Sequence, residues 1–277
     1  MKFSVVIITH NNFSEKNGCI ETVLLAILNQ KQVDVEIILV DNNSSDFDKK
    51  MLNNLVKSED RIKLINNPIN NISSGRNLGA KNSNNDYIIY MDDDMILNNN
   101  MVLYNLSNMI DGHLYGYSAT RLWTQEGWYE QHGEEINKNI LKNAKNYDII
   151  TENPNPVVRG KKNNRHLIRT YIGNFGFIKR EALQEVGMWN EDYLGYGVED
   201  DTMAFKLYMR YGRPLVLKDL SVVHVWHNIK EKNYLELEAN KKKFEAILAD
   251  NNVKVFHVGR ILYEEDNVIE WLKGERK

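Results

Sequence analysis

The sequence predicts an α/β fold: a mostly parallel central sheet flanked by helices, with a C-terminal helical extension. Three observations lead there. FSVVIIT (3–9), EIILVD (36–41) and DYIIYMD (86–92) are short, nearly all-apolar runs rich in β-branched residues, as in strands buried on both faces. Segments with helical spacing lie between them, so strand and helix alternate as in βαβ units, whose strands run parallel. The first, second and fourth strands end in polar groups (Thr9 to Asn11, Asp41, and Asp92 to Asp94), and open parallel sheets bind ligands at that edge.

The elements follow in order. After the strand at 3–9 comes a polar loop, HNNFSEKN, then a helix over 19–30 with apolar residues at Ile20, Val23, Leu24, Ile27 and Leu28. The strand at 36–41 leads through the turn-rich NNSSD into a helix over 47–58, and RIKLINN (61–67) supplies a third strand. SSGRNLGAKNS (73–83) opens the helix before the fourth strand. Further on, 101–110 reads as helix and 115–124 as strand, while the Asn/Lys-rich 137–166, with Pro154 and Pro156, reads as loop. Residues 170–187 read as strand then helix. A glycine-rich loop enters a helix near Glu199, 214–227 supplies one or two strands, and 234–250 is a charged amphipathic helix. No internal repeat is visible.

The 277 residues, 42% hydrophobic and 26% charged, suit one large domain or one domain with an appendage. A formal net charge of -3 argues against a general nucleic-acid binder. The lone Cys19 rules out an internal disulfide framework and cysteine-pair zinc sites, and fits a reducing compartment. The apolar run in MKFSVVIITHNN is too short for a signal peptide, and no stretch approaches the roughly 20 apolar residues of a membrane span. The expected location is cytoplasmic, with peripheral contact at the inner membrane face left open.

Three constellations carry chemistry. In MDDD, Asp92, Asp93 and Asp94 follow a buried strand, where packed like charges call for a positive partner. Such carboxylates can hold Mg²⁺ or Mn²⁺, which leave positions open for a diphosphate; a solvated acidic turn is the alternative. In GYGVEDD (195–201), Glu199 and Asp200 sit at a helix start, either as plain first-turn acids or as a general base toward a hydroxyl. In SVVHVWH (221–227), His224 and His227 follow a β-branched run, as core histidines or as completing metal ligands. The other histidines lack a comparable context.

TxxN after strand one, VDNNSSD after strand two, GRNLGA before strand four and MDDD at its end together resemble a GT-A-fold (nucleotide-diphospho-sugar transferase) glycosyltransferase of family 2 type. The segment GNFGFIKREALQEVGMWNEDYLGYGVEDDTMAFKLYMRYG is similar to the catalytic half of β-1,4-galactosyltransferases and chondroitin polymerases. The histidine context resembles that of polypeptide N-acetylgalactosaminyltransferases. The likeness covers about residues 3–228. It implies that Thr9 and Asn11 border the nucleotide, that Asp41 accepts the uracil N3–H, and that Arg76 approaches base or pyrophosphate. By the same resemblance Asp92 faces the ribose, with Asp93 beside it in the nucleotide site, and Asp94 binds the metal with His224, or His227 as fallback. Asp200 would be the general base and Glu199 would bind a sugar; Trp189 could stack on a sugar face or belong to the core. Asn42 stands where many relatives carry a second aspartate, and the glycine loop lacks the tryptophan-glycine version, so base and acceptor preference do not transfer.

The implied division is a GT-A domain over 1–228, with a nucleotide-binding half (1–98) and an acceptor half (99–228), followed by a helical extension (229–277). The implied activity is metal-dependent transfer from a nucleotide-sugar, a UDP-sugar by preference, to a glycan, lipid-linked or peptide hydroxyl with inversion. The rivals are a retaining transferase on the same fold and a non-catalytic nucleotide-sugar-binding or scaffold module. A nucleotidyltransferase is disfavoured because HNNFSEKNG offers only Gly18 near the first strand. The basic cluster Lys241 to Lys243 fits a solvated helix face, with a homodimer contact or docking on an anionic membrane as alternatives.

Overall fold

The β-branched runs stack side by side in one eight-stranded sheet. The computed structural model describes residues 1–124, 167–168, 173–195, 197–212, 214–225, 227, 234–251 and 261–262. The loop expected over 137–166 and the charged tail beyond 262 lie outside the described residues. The chain runs β1 (Lys2–Thr9), α1 (Asn12–Glu15), α2 (Ile20–Leu28), β2 (Asp34–Asn42), α3 (Asp46–Val56), β3 (Ile62–Asn67), α4 (Ile72–Lys81) and β4 (Tyr87–Asp92). It continues with β5 (Met95–Leu97), α5 (Val102–Met109), β6 (Tyr115–Trp123), β7 (Leu167–Ile168), β8 (Phe175–Lys179), α6 (Arg180–Glu185), α7 (Glu199–Tyr211), β9 (Leu215–His224), α8 (Tyr234–Asp250) and β10 (Ile261–Leu262).

The sheet order is β3-β2-β1-β4-β8-β6-β9-β5, and β7 pairs separately with β10. The first four strands are parallel, as their βαβ connections require. Beyond them the sheet is mixed: β8 lies antiparallel to β4 and β6, β6 and β9 are parallel, and β5 returns antiparallel along β9. Among the described residues, four elements differ from expectation, two of them β7 and β10, which pair with each other apart from the main sheet, β10 within the extension expected to be helical. The polar loop after β1 contains the one-turn α1, and the apolar MIL that follows the aspartates forms β5. Residues 215–224 make one continuous strand.

Alternation across the pleat explains why these strands carry so few polar residues. In β1, Phe3, Val5 and Ile7 join one core with Ile20, Val23, Leu24 and Ile27 of α2. Val6 of the same strand joins the opposite core with Ala80 of α4, Ala182 and Leu183 of α6, and Met203 and Leu207 of α7. Gly79 lets α4 lie directly on the Val6 side chain, which a Cβ at that position would meet. Ser45 caps α3 through Asp48 N, and Asn71 caps α4 through Ser74 N, which fixes where both helices start.

Register then places the site. Thr9 pairs with Asp41, and Ile8 with Asp92, so the polar ends of β1, β2 and β4 stand level at the carboxyl edge. His224 pairs with Met95 and Trp123, bringing the end of β9 to the residue after the aspartates. Among the described residues no helix is long and apolar enough to cross a membrane.

Candidate active site

The three aspartates are held differently, with Lys16 shared by Asp93 and Asp94 and Arg76 facing Asp92. Asp93 is buried: its Oδ2 accepts from Thr9 Oγ1 at 2.7 Å and from Asn12 Nδ2 at 2.9 Å, and its Oδ1 accepts from Lys16 Nζ at 2.7 Å. Asp94 Oδ2 accepts from Lys16 Nζ at 2.8 Å and lies 3.0 Å from His227 Nε2; its Oδ1 lies 3.6 Å from His224 Nε2. The backbone oxygen of Asp94 accepts from Val225 N at 2.8 Å, which pins the end of β9 onto the aspartate turn. Asp92 stays 42% exposed, with Oδ1 3.9 Å from Arg76 Nη2.

Lys16, just past α1, is the positive partner that the triplet requires, and the sequence analysis missed it. Nothing local marks it, since it reaches the aspartates only because β1 and β4 are adjacent in the sheet. Burial works against its charge, but Asp93 and Asp94 overcome that and hold the ammonium well above the usual lysine range. Burial likewise opposes ionised Asp94, yet Lys16, the His227 hydrogen bond and the His224 charge hold that carboxyl far below the usual range.

Asp94, His224 and His227 bring one ligand atom each within 4.8 Å of one another. The two imidazoles stack with centroids 5.7 Å apart. Asp94 Oδ1 is buried and has no hydrogen-bond partner among the described residues, which leaves an oxygen available to a cation. The donor set of one carboxylate and two imidazoles therefore fits a divalent ion. His224 and His227 both reach the cluster, so they stand as a pair.

A second cluster forms around Arg76. Asp200 Oδ1 accepts from Arg76 Nη1 at 2.8 Å, and its Oδ2 accepts from Gly173 N at 3.1 Å. Glu199 Oε1 stands 3.7 Å from Arg76 Nη1. The Arg76 guanidinium is buried and lies 4.3 Å over the Trp189 ring, which also meets Tyr90 edge-on at 5.2 Å. Trp189 is thus a core residue and a platform for Arg76; the alternative of stacking on a sugar is set aside. Arg76 links Asp92 to Asp200 and so joins the two clusters.

Thr9 and Asn11 spend their polar groups on the protein itself. Thr9 anchors Asp93, while Asn11, at φ 50°, accepts from Ser45 N at 2.8 Å and donates its own N–H to Ser44 Oγ at 3.0 Å. Asp41 Oδ1 accepts from Ser44 N at 3.1 Å; its Oδ2 is buried and has no hydrogen-bond partner among the described residues.

Burial, reinforced by the Asp200 charge and opposed by Arg76, pushes the Glu199 carboxyl up to about 7. An acid raised on folding binds its proton more tightly in the native state. The stability it contributes is complete below its unfolded pKa of about 4.3 and is lost as pH rises through about 7. Urea unfolding of the metal-free protein from pH 5 to 8 is expected to show this decline. Asp92, pushed up to about 7 by burial and the Asp94 charge, contributes stability that is lost over the same range. Glu199→Gln, which carries no titrating proton, is therefore expected to shrink the decline and leave the Asp92 share.

The chain matches the model of Glycosyl transferase family 2 over residues 4–187. It is 35% identical over 95 residues to a GalNAc(5)-diNAcBac-PP-undecaprenol beta-1,3-glucosyltransferase of Campylobacter jejuni, a match covering 34% of this chain and 29% of that protein. An uncharacterized glycosyltransferase of Haemophilus influenzae is 33% identical over 92 residues, covering 33% of this chain and 37% of the relative. Both matches therefore span well under half of those relatives. The uncharacterized glycosyltransferase YfnE of Bacillus subtilis aligns over 87% of this chain and 69% of its own length at 24% identity. Among solved structures, S. aureus TarS superposes with TM-score 0.54 at 17% identity over 88% of this chain and 40% of its own. The mannosyltransferase PcManGT of Pyrobaculum calidifontis, in complex with GDP-Man and Mn2+, gives 0.55 at 14% identity over 86% of this chain and 60% of its own. These two similarities show a shared GT-A fold.

Proposed function

The chain belongs to glycosyl transferase family 2; from that premise we propose that it is a metal-dependent, inverting glycosyltransferase that uses a nucleotide-sugar, by preference a UDP-sugar. One observation carries this reading: Asp94, His224 and His227 converge at the end of β9, and Arg76 bridges Asp92, two residues before Asp94, to the Glu199–Asp200 pair. Two imidazoles favour Mn²⁺ over Mg²⁺, which prefers an all-oxygen shell. When bound, that ion supplies neutralisation of the charge that develops on the leaving diphosphate.

The remaining work falls to the chain's own residues. Asp41 Oδ2 would accept the N–H of a pyrimidine base, and Asp92, the exposed member of the triplet, would receive the ribose hydroxyls. Asp93 has both oxygens bonded, by Thr9, Asn12 and Lys16, so it would hold the turn in place. Asp200 would take the proton of the acceptor hydroxyl. The freed oxygen then forms its bond to the anomeric carbon as the bond to the diphosphate breaks, with the electron pair leaving on the diphosphate. A carboxylate offers about four lone-pair sites, so Arg76 and Gly173 leave room for that hydroxyl. Glu199, carrying a proton for part of the time near pH 7, can donate to a sugar oxygen.

Lys16 acts as the site's resident positive charge. Lys16→Met removes the ammonium shared by Asp93 and Asp94, leaving Asp93 with neutral donors and Asp94 with the histidines alone, and is expected to cost about 3–5 kcal/mol in the metal-free protein. Mn²⁺ should then raise the melting temperature of the variant more than that of the wild type, as read by calorimetry with and without the ion.

The proposal is tested by donor turnover across UDP-, GDP- and TDP-sugars, with Mn²⁺ and with EDTA. Turnover of one donor that EDTA abolishes supports it. Turnover indifferent to EDTA would refute the metal dependence, and binding of no donor with metal present would refute the nucleotide-sugar reading.

A further inference from the structure

The glycine loop ahead of Glu199 is strained. Gly195 and Gly197 have φ of 64° and 97°, and Val198, a β-branched residue, has φ of 77°. A β-branched residue in this region is strained and persists only where its surroundings impose it. Val198 also occupies the N-cap of α7, where its side chain has no oxygen to offer. The backbone that aims Glu199 and Asp200 is therefore held from outside.

Two asparagines hold it. On the sheet side, Asn71 of α4 donates to Glu191 O at 3.1 Å and to Tyr193 O at 2.8 Å. On the far side, Asn240 of α8, 1% exposed, accepts from Leu194 N at 3.3 Å and donates to Leu194 O at 2.8 Å and Gly197 O at 3.3 Å. Its amide thus meets Leu194 through both N–H and carbonyl, as a neighbouring strand would. Lys243 Nζ donates to Asp192 O at 2.5 Å. Beneath these bonds Phe244 and Leu248 pack on Val198 and Phe205, with the two phenyl rings edge-on at 6.2 Å. A Cβ on Gly197 would meet Leu237 at 2.7 Å, so α8 rests directly on the loop.

We propose that Asn240 is a positioning residue for the Glu199–Asp200 pair, and that α8 belongs to the catalytic apparatus as the clamp on its glycine loop. This rests on the roles assigned to that pair above. The test uses the full chain with Asn240→Ala, Asn240→Asp and Phe244→Ala, the last weakening the packing while leaving the Asn240 bonds in place. Three quantities are read: hydrogen exchange at Leu194, affinity for UDP with Mn²⁺, and kcat for hydrolysis of the donor that the wild type turns over.

Asn240→Ala is expected to speed exchange at Leu194 about tenfold and to lower kcat by about 10–100-fold, with UDP affinity within twofold of wild type. Asn240→Asp, which keeps the acceptor and loses both donations, should fall between. Phe244→Ala should lower the melting temperature with a smaller change in kcat. Unchanged exchange in Asn240→Ala would overturn the clamp. Faster exchange with kcat within twofold, or UDP affinity lost in step with kcat, would overturn the positioning role. A wild type inert toward every donor would instead remove the transferase reading and the positioning role with it, while the exchange measurement, which needs no donor, still decides the clamp.

Discussion

Asp94→Asn is expected to lower metal-dependent donor turnover by about 10³-fold, a loss of about 4 kcal/mol in transition-state stabilisation. The substitution keeps the shape of the side chain and the backbone acceptor for Val225 N, so β9 stays docked. It removes the anion that faces Lys16, His224 and His227 together, and leaves a neutral amide where a carboxylate oxygen was free to ligate. Mn²⁺ affinity, read by calorimetric titration, should fall with the activity. Asp93→Asn provides the contrast. Both its oxygens are bonded within the protein, by Thr9, Asn12 and Lys16, so that variant should lose stability while still binding Mn²⁺. A similar loss of Mn²⁺ affinity in both would mean that the turn as a whole, and not Asp94 as ligand, matters.

The second large effect is on proton transfer. Asp200→Asn should reduce kcat by about 10²–10⁴-fold while affinity for UDP with Mn²⁺ stays near that of wild type. Arg76 would then lose the charge it pairs with at 2.8 Å, but Glu199 and Asp92 remain beside the guanidinium, and Trp189 still supports its face. Glu199→Gln should cost less and act mainly on acceptor KM, because its assigned role is to donate to a sugar oxygen. Rates measured for both variants at saturating donor separate the two assignments. A larger kcat loss in Glu199→Gln than in Asp200→Asn would exchange them.

What the sequence made legible was the part set by periodicity and strand ends. Continuous β-branched runs announced β1, β2 and β4, and their level carboxyl ends follow from the parallel register, Thr9 opposite Asp41 and Ile8 beside Asp92. The glycine loop entering α7 at Glu199 was equally plain. Lys16 was not, because it sits past a one-turn helix and meets Asp93 and Asp94 only through the adjacency of β1 and β4. Strand β5 escaped because three apolar residues after an acidic turn look like the resumption of β4. The pairing of β8 antiparallel to β4 has no local signature, since register and direction are settled by the sheet. Asn240 looked like one more polar residue in the charged stretch ELEANKKKFEAIL, yet it is buried against the loop it bonds. Trp189 was ambiguous until Arg76 and Tyr90 were seen to cover it.

The central claim is that one divalent cation sits among Asp94, His224 and His227 and faces a nucleotide diphosphate. It is tested most directly by crystals grown with MnCl₂ and UDP and examined by anomalous scattering at the manganese edge. The account predicts one strong peak bounded by the Asp94 carboxylate and the two imidazoles, touching the UDP diphosphate, with Lys16 retained on Asp93. Ordered UDP with no peak among those three side chains, or with manganese bound elsewhere, would contradict it.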